Sequence, residues 1–271
     1  MLNTMRSISS RQNPIVHAFR ELAANAAADG SRLLLDGAHL VQEARAAQRP
    51  FEHVAVSAQQ MDAGTDIAQL ARALEREGVD VVIATEAVMS AMSPVRTPSG
   101  IVAIVSRVPV SIAAICQHPN ALILAAADVQ DPGNLGALLR AAEAGGATGT
   151  IVTGTSAQPF SWKAVRGSMG SVLRLPVAVG PPPDALLTCA RKFGVRTVAS
   201  VPRGGAAPHE VDWRARVLMF VGGEGPGLGA EVIDACDERV SIPMEAPVES
   251  LNVAVAGALL VYEARRQRQR E

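Results

Sequence analysis

Short apolar runs recur along this chain, separated by stretches long enough for one helix each. The first series is Arg32-Leu-Leu-Leu-Asp, Val54-Ala-Val-Ser, Val79-Asp-Val-Val-Ile-Ala and Gly100-Ile-Val-Ala-Ile-Val-Ser. Helices are predicted over 14–28, 37–47, 66–77 and 86–92. In 66–77, Ile67, Leu70, Ala71 and Leu74 fall on one face. A second series opens with Ala121-Leu-Ile-Leu-Ala-Ala-Ala, apolar throughout, as a strand buried on both faces of a parallel sheet must be. Strands follow at 150–153, 173–177, 195–200, 217–221 and 239–242, with helices at 161–169, 184–193, 231–236 and 250–268. Strands alternating with helices predict α/β layers in both halves.

At 271 residues the chain has room for two domains. Pro109 and Pro119 bound the best linker candidate, so the expected division is 1–106, a linker at 107–120, and 121–271. Half the residues are hydrophobic but only 3% are aromatic, which predicts cores of small, closely packed side chains. A net charge of −1 gives no overall nucleic-acid signature. The ends differ: Arg6, Arg11 and Arg20 share the first twenty residues with no acid, and Arg265, Arg266, Arg268 and Arg270 crowd the last seven. Such clusters are solvated ends or grips for phosphate. Cys116, Cys189 and Cys236 are far apart and form no metal-spaced set, so reduced thiols and no metal are expected. No apolar run reaches the roughly 18 residues of a membrane span, and no signal-peptide core opens the chain. These features set the expectation of a soluble, cytoplasmic protein.

Sites in open parallel sheets form beyond the carboxyl ends of strands. Three such places are marked here. After 121–127 comes Asp131-Pro-Gly-Asn-Leu-Gly-Ala-Leu-Leu-Arg, where Leu135, Leu138, Leu139 and Ala142 face a core. Arg140 then emerges beside Gly133, Gly136 and Ala137, a patch almost without side chains, which suits a guanidinium meeting a phosphate or carboxylate. After 217–221 comes Gly222-Gly-Glu-Gly-Pro-Gly-Leu-Gly, which matches neither a dinucleotide fingerprint nor a P-loop. Its glycines let a ligand approach the main chain, and Glu224 stands among them. The third place is the entry to the last helix. Ser250 sits where an N-cap belongs, with its hydroxyl able to accept from the N–H of Val253, and Asn252 is polar in an otherwise apolar first turn. Leu251, Val255, Ala258, Leu259 and Tyr262 form one face of that helix, and Ala254, Ala256, Gly257 and Ala258 keep it thin.

Asn134-Leu-Gly-Ala-Leu-Leu-Arg140, Val221-Gly-Gly-Glu224-Gly-Pro-Gly-Leu and Ile242-Pro-Met-Glu-Ala-Pro-Val-Glu-Ser250-Leu-Asn252-Val resemble the three ordered motifs of the SpoU (TrmH-like) RNA ribose 2′-O-methyltransferases of the SPOUT superfamily. The resemblance covers about 120–268. Ser9-Ser-Arg-Gln-Asn-Pro and Leu34-Leu-Asp-Gly-Ala-His-Leu-Val-Gln-Glu-Ala are similar to a substrate-binding domain of the ribosomal-protein L30e/L7Ae type. The resemblance implies a parallel-sheet methyltransferase domain with a deep trefoil knot, and S-adenosyl-L-methionine as cofactor near Gly222, Gly227, Ile242, Met244 and Leu251. Asn134 and Arg140 would serve the target ribose, Glu224 would hold the Arg or the loop, and Ser250 and Asn252 would position the reacting groups. Ala246 stands where the family usually has Gly. The implied partners are RNA, ribosomal in preference to transfer RNA, and a second copy of the chain. The alternatives are a transfer-RNA 2′-O-methyltransferase, a catalytically inactive RNA-binding or ribosome-assembly protein, and a nucleotide-dependent dehydrogenase. The missing dinucleotide fingerprint argues against the last.

Overall fold

A computed structural model describes residues 5–223, 225 and 227–269. In chain order the elements are β1 (Arg6–Ile8), α1 (Pro14–Ala24), β2 (Arg32–Asp36), α2 (Ala38–Ala46), β3 (Phe51–Ser57), α3 (Ala58–Asp62), α4 (Asp66–Arg76), β4 (Val81–Ala84), α5 (Glu86–Met92) and β5 (Ile101–Ser106). There follow α6 (Ile112–Cys116), β6 (Leu122–Ala127), α7 (Pro132–Ala144), β7 (Gly149–Thr153), α8 (Trp162–Gly167), a 3-10 turn (Ser171–Leu173), β8 (Val177–Val179) and α9 (Pro183–Lys192). The chain closes with β9 (Arg196–Ser200), β10 (Val217–Gly222), α10 (Ala230–Ala235), β11 (Glu238–Val240) and α11 (Val253–Arg268). The chain divides into two compact units: Met1–Val108 with Phe160–Leu173, and Pro109–Pro159 with Arg174–Glu271.

The first unit holds a five-stranded mixed sheet in the order β1-β4-β3-β5-β2, with β5 antiparallel to both neighbours. Its helices start where local chemistry dictates. Asn13 caps α1 ahead of Pro14, and Thr65 caps α4. Residues 160–173 belong to this unit by packing. Phe160 is buried, and the buried guanidinium of Arg107 lies 4.6 Å from its ring centroid. Burial pushes the Arg107 pKa down to about 10. Gly30 closes the same contact: at φ +69 it has no Cβ, and one added there would stand 2.5 Å from Phe160. Trp162 packs against a core that includes Phe19, Leu34 and Met92.

The second unit holds a six-stranded, wholly parallel sheet in the order β11-β9-β10-β6-β7-β8. The fully buried β6 lies between β10 and β7, as its apolar sequence requires. Residues 107–120, expected to be a linker, carry α6, whose Ile115 and Cys116 join the core of this unit. On the other face α11 packs against α7. Glycine makes that approach possible, since a Cβ on Gly257 would sit 2.3 Å from Leu138.

Three expectations are corrected. Residues 173–177 do not form a strand: they pass through the 3-10 turn, and β8 begins only after Pro176, which has no N–H to give a ladder. Gly136 is buried on the packed side of α7 instead of lying on its open face. Ser250 is not the cap of the last helix. Asn252 is, and its Oδ1 accepts from the N–H groups of Ala254 and Val255 at 2.9 and 3.4 Å.

Candidate functional site

A cavity of about 370 Å³ opens at the carboxyl ends of β9 and β10. This is where a parallel sheet offers its site, because the loops leaving neighbouring strands diverge there. From β9 come Ser200, Val201 and Pro202; from β10 and its loop come Val221, Gly222, Gly223, Gly225, Gly227 and Leu228. The segment after β11 adds Ile242 and Met244, and the entry to α11 adds Ser250, Leu251, Asn252, Val253 and Ala256. All five expected cofactor positions, Gly222, Gly227, Ile242, Met244 and Leu251, therefore lie on one wall system.

The chemistry of this wall is specific. No described lining residue is charged. Recognition falls to main-chain N–H and C=O groups, to the Ser200 and Ser250 hydroxyls and to the Asn252 amide, against apolar side chains. The glycine loop folds back on itself: a Cβ on Gly222 would lie 2.4 Å from the carbonyl carbon of Gly227. At Gly227, φ is +69 and an added Cβ would meet nothing within 4 Å. Backbone there borders open space, so a ligand is able to approach it closely.

At one edge of the cavity two loops meet. Asp131 caps α7 by accepting from the Asn134 N–H at 2.7 Å. That fixes Asn134 in the first turn, where its Oδ1 accepts from Asn252 Nδ2 at 3.0 Å. Residues 118 apart in sequence are thus joined through the two helix starts. Arg140 is not part of this junction. It is exposed and makes no hydrogen bond or ion pair with any described residue. Six residues along α7, it stands about 9 Å farther down the axis than Asn134 and about a third of a turn round. Ser250 is exposed at the cavity and Asn252 is shared between cavity and junction. Glu224 lies outside the described residues.

The lining from β9 and the inner turn of α11, Ser200 to Pro202 with Val253 and Ala256, was not expected from sequence. Its position depends on β9 pairing with β10, and spatial strand order leaves no mark in a run of apolar residues.

The chain matches known proteins over nearly all of its length. Residues 121–262 match the SpoU rRNA methylase family, and residues 34–110 match the RNA 2′-O ribose methyltransferase substrate-binding family. An uncharacterized tRNA/rRNA methyltransferase of Synechocystis is 33% identical over 98% of this chain and 96% of its own. The 23S rRNA (guanosine(2553)-2′-O)-methyltransferase RlmP of Bacillus subtilis is 28% identical over 96% of this chain and 100% of its own. The crystal structure of an AdoMet-bound rRNA methyltransferase from Sinorhizobium meliloti superposes with a TM-score of 0.80 at 28% identity, covering 97% of this chain and 98% of that one. The chain belongs to the SpoU rRNA methylase family.

Proposed function

We propose that this protein transfers a methyl group from S-adenosylmethionine to a ribose 2′-hydroxyl of RNA, and that its substrate is ribosomal RNA of the 23S type. The observation that carries the reading is the hydrogen bond between Asn134 and Asn252 at the edge of a glycine-walled cavity whose described lining is uncharged. A cavity of about 370 Å³ falls within the range of small-molecule sites, roughly 300–1,000 Å³. Its apolar side chains suit a purine ring, and its exposed main chain suits the polar edges of a nucleoside. When bound, S-adenosylmethionine supplies a methyl group already activated on a sulfonium.

What remains for the chain is alignment. The Asn134–Asn252 pair fixes two amides where a ribose would stand beside the cavity. Ser250 offers a hydroxyl at the same edge. A guanidinium is a poor proton acceptor, so Arg140 is read as a clamp and the proton of the 2′-hydroxyl leaves through a neighbouring group or water. Its exposed guanidinium is available to hold the phosphate next to the target ribose and to stabilise charge growing on the 2′-oxygen. Glu224 is assigned to holding Arg140 or the glycine loop, on its motif alone. Arg140→Lys is expected to retain measurable turnover, and a pH–rate limb that disappears in this variant would overturn the phosphate-clamp role.

We further propose a trefoil knot in the second unit. The segment after β11 passes close to the 205–206 backbone: a Cβ on Gly205 would lie 2.6 Å from Val240, and the Ser241 N–H donates to Ala206. A Cα trace that pulls straight from its ends would overturn it. A homodimer is supported by α11, where Val255, Leu259 and Tyr262 are 48, 47 and 50% exposed in one stripe. No helix among the described residues is long and apolar enough to cross a membrane, and a cytoplasmic site of action fits an RNA substrate.

The test is to map ribose methylation at single-nucleotide resolution in cells with and without the gene, alongside calorimetry with S-adenosylmethionine. One ribosomal position that loses its methyl group, together with saturable cofactor binding, is expected. Loss at a transfer-RNA position would move the substrate, and absence of binding would overturn the reading.

A further inference from the structure

We infer that Asp128 is a positioning residue that holds the ribose side of the site in register with the cofactor side. The inference rests on the methyltransferase reading above. Asp128 follows β6 directly and adopts φ +58, a left-handed conformation uncommon for a residue with a side chain. Two other loops meet it. Its Oδ1 accepts from the Thr155 N–H at 2.7 Å and from the Thr155 hydroxyl at 2.9 Å, which ties it to the loop after β7. Its own N–H donates to the carbonyl of Thr153. The neighbouring Val129 continues the clamp: its N–H donates to Ser156 Oγ at 3.0 Å, and its carbonyl accepts from the Ala157 N–H at 2.8 Å. On the other side lies the glycine loop. A Cβ on Gly223 would stand 1.8 Å from the Asp128 carbonyl oxygen, so that loop rests on the Asp128 main chain.

The two halves of Asp128 thus do different work. Its backbone supports Gly223, which lines the cofactor cavity. Its carboxylate fixes the left-handed turn from which the chain runs, three residues later, into the Asp131 cap and Asn134. Glycine at this position would keep the backbone conformation and remove the carboxylate. Asparagine tolerates the same φ and retains an oxygen that is able to accept both Thr155 donors.

The experiment compares wild type, Asp128→Gly and Asp128→Asn. The readouts are kcat at saturating RNA and cofactor, cofactor Kd by calorimetry, thermal melting, and amide hydrogen exchange across 128–136. For Asp128→Gly, kcat is expected to fall about 30- to 100-fold, the scale of a reacting group misplaced by about 1 Å. Cofactor Kd should stay within about threefold while exchange at Asn134 and Leu135 quickens, and Asp128→Asn should recover most of the turnover. Two results would overturn the inference: wild-type kcat and exchange in Asp128→Gly, or equal losses of kcat, cofactor affinity and melting temperature, the mark of a purely structural defect. If the wild type itself neither binds the cofactor nor transfers methyl, the functional reading falls. The clamp is then decided by exchange alone: faster exchange over 128–136 in Asp128→Gly upholds it and unchanged exchange overturns it.

Discussion

Asn252 divides its amide between two partners. The oxygen caps α11, and the nitrogen donates to Asn134. Asn252→Asp separates these duties, because a carboxylate still caps but gives Asn134 no donor. Turnover is expected to fall at least about tenfold with the melting temperature held within about 2 °C of wild type, since the N-cap contribution of about 1 kcal/mol survives. Asn252→Ala should lower both, and kinetics beside thermal melts distinguish the cases. At this scale the sequence was legible in kind and not in pairing. Asn252 stood out as a polar residue in an apolar first turn, and Asn134 through the motif it opens. Nothing in a one-dimensional pattern joins two positions 118 apart. Ser250 was misread as the cap because Ser-Leu-Asn offers two capping oxygens two residues apart, and only the path of the chain into α11 selects the second. Asp128 and Thr155 gave no signal at all: a left-handed Asp after a strand looks like any loop Asp.

Among the elements, the pairing of α7 with α11 is set by residues that lack side chains. Gly257→Ala would drive a methyl group to 2.3 Å from Leu138 Cδ1. A loss of about 1–3 kcal/mol is expected from such overpacking, read as a lower urea midpoint. The far end of α11 is fastened by charge. Glu263 accepts from Arg266 at 2.7 and 2.5 Å and from Gln267 Nε2 at 2.9 Å. The buried Gln267 in turn bonds Val211 and Trp213. Chiefly through the Arg266 hydrogen bonds, the Glu263 carboxyl is held at about 2, below its ordinary 4.5. A folded pKa below the unfolded one stabilises the fold above about 4.5, and that contribution is lost as pH falls toward about 2. Melting temperatures of wild type and Glu263→Gln should therefore differ at neutral pH and converge across that window. A gap that stays constant with pH would refute the pairing. Most helix and strand assignments were legible here because apolar spacing alternates, the strand expected at 173–177 excepted. The exposed stripe of Val255, Leu259 and Tyr262 was legible as a face, though periodicity does not say which face meets water.

At the level of the whole chain, the sheet content of both units followed from the strand–helix alternation, and their boundaries did not. A proline-bounded stretch at 107–120 suggested one passage between them. Packing instead assigns Phe160 and Trp162 to the first unit, because a large aromatic goes where a core of matching depth exists. A fragment ending at residue 108 is therefore expected to be incomplete. It should bind a hydrophobic dye and melt with a broadened, lowered transition, and a version with 160–173 appended through a flexible linker should melt sharply. Identical melts for the two fragments would show that the appended segment adds nothing.

That excursion has a bearing on how such proteins are re-engineered or recombined. The first unit cannot simply be replaced at a single junction, because the second unit would arrive still carrying fourteen residues that pack into the unit it left behind. A working chimera needs both pieces exchanged together, and crossover points chosen at 108, 159 and 173 are the ones that keep each unit whole.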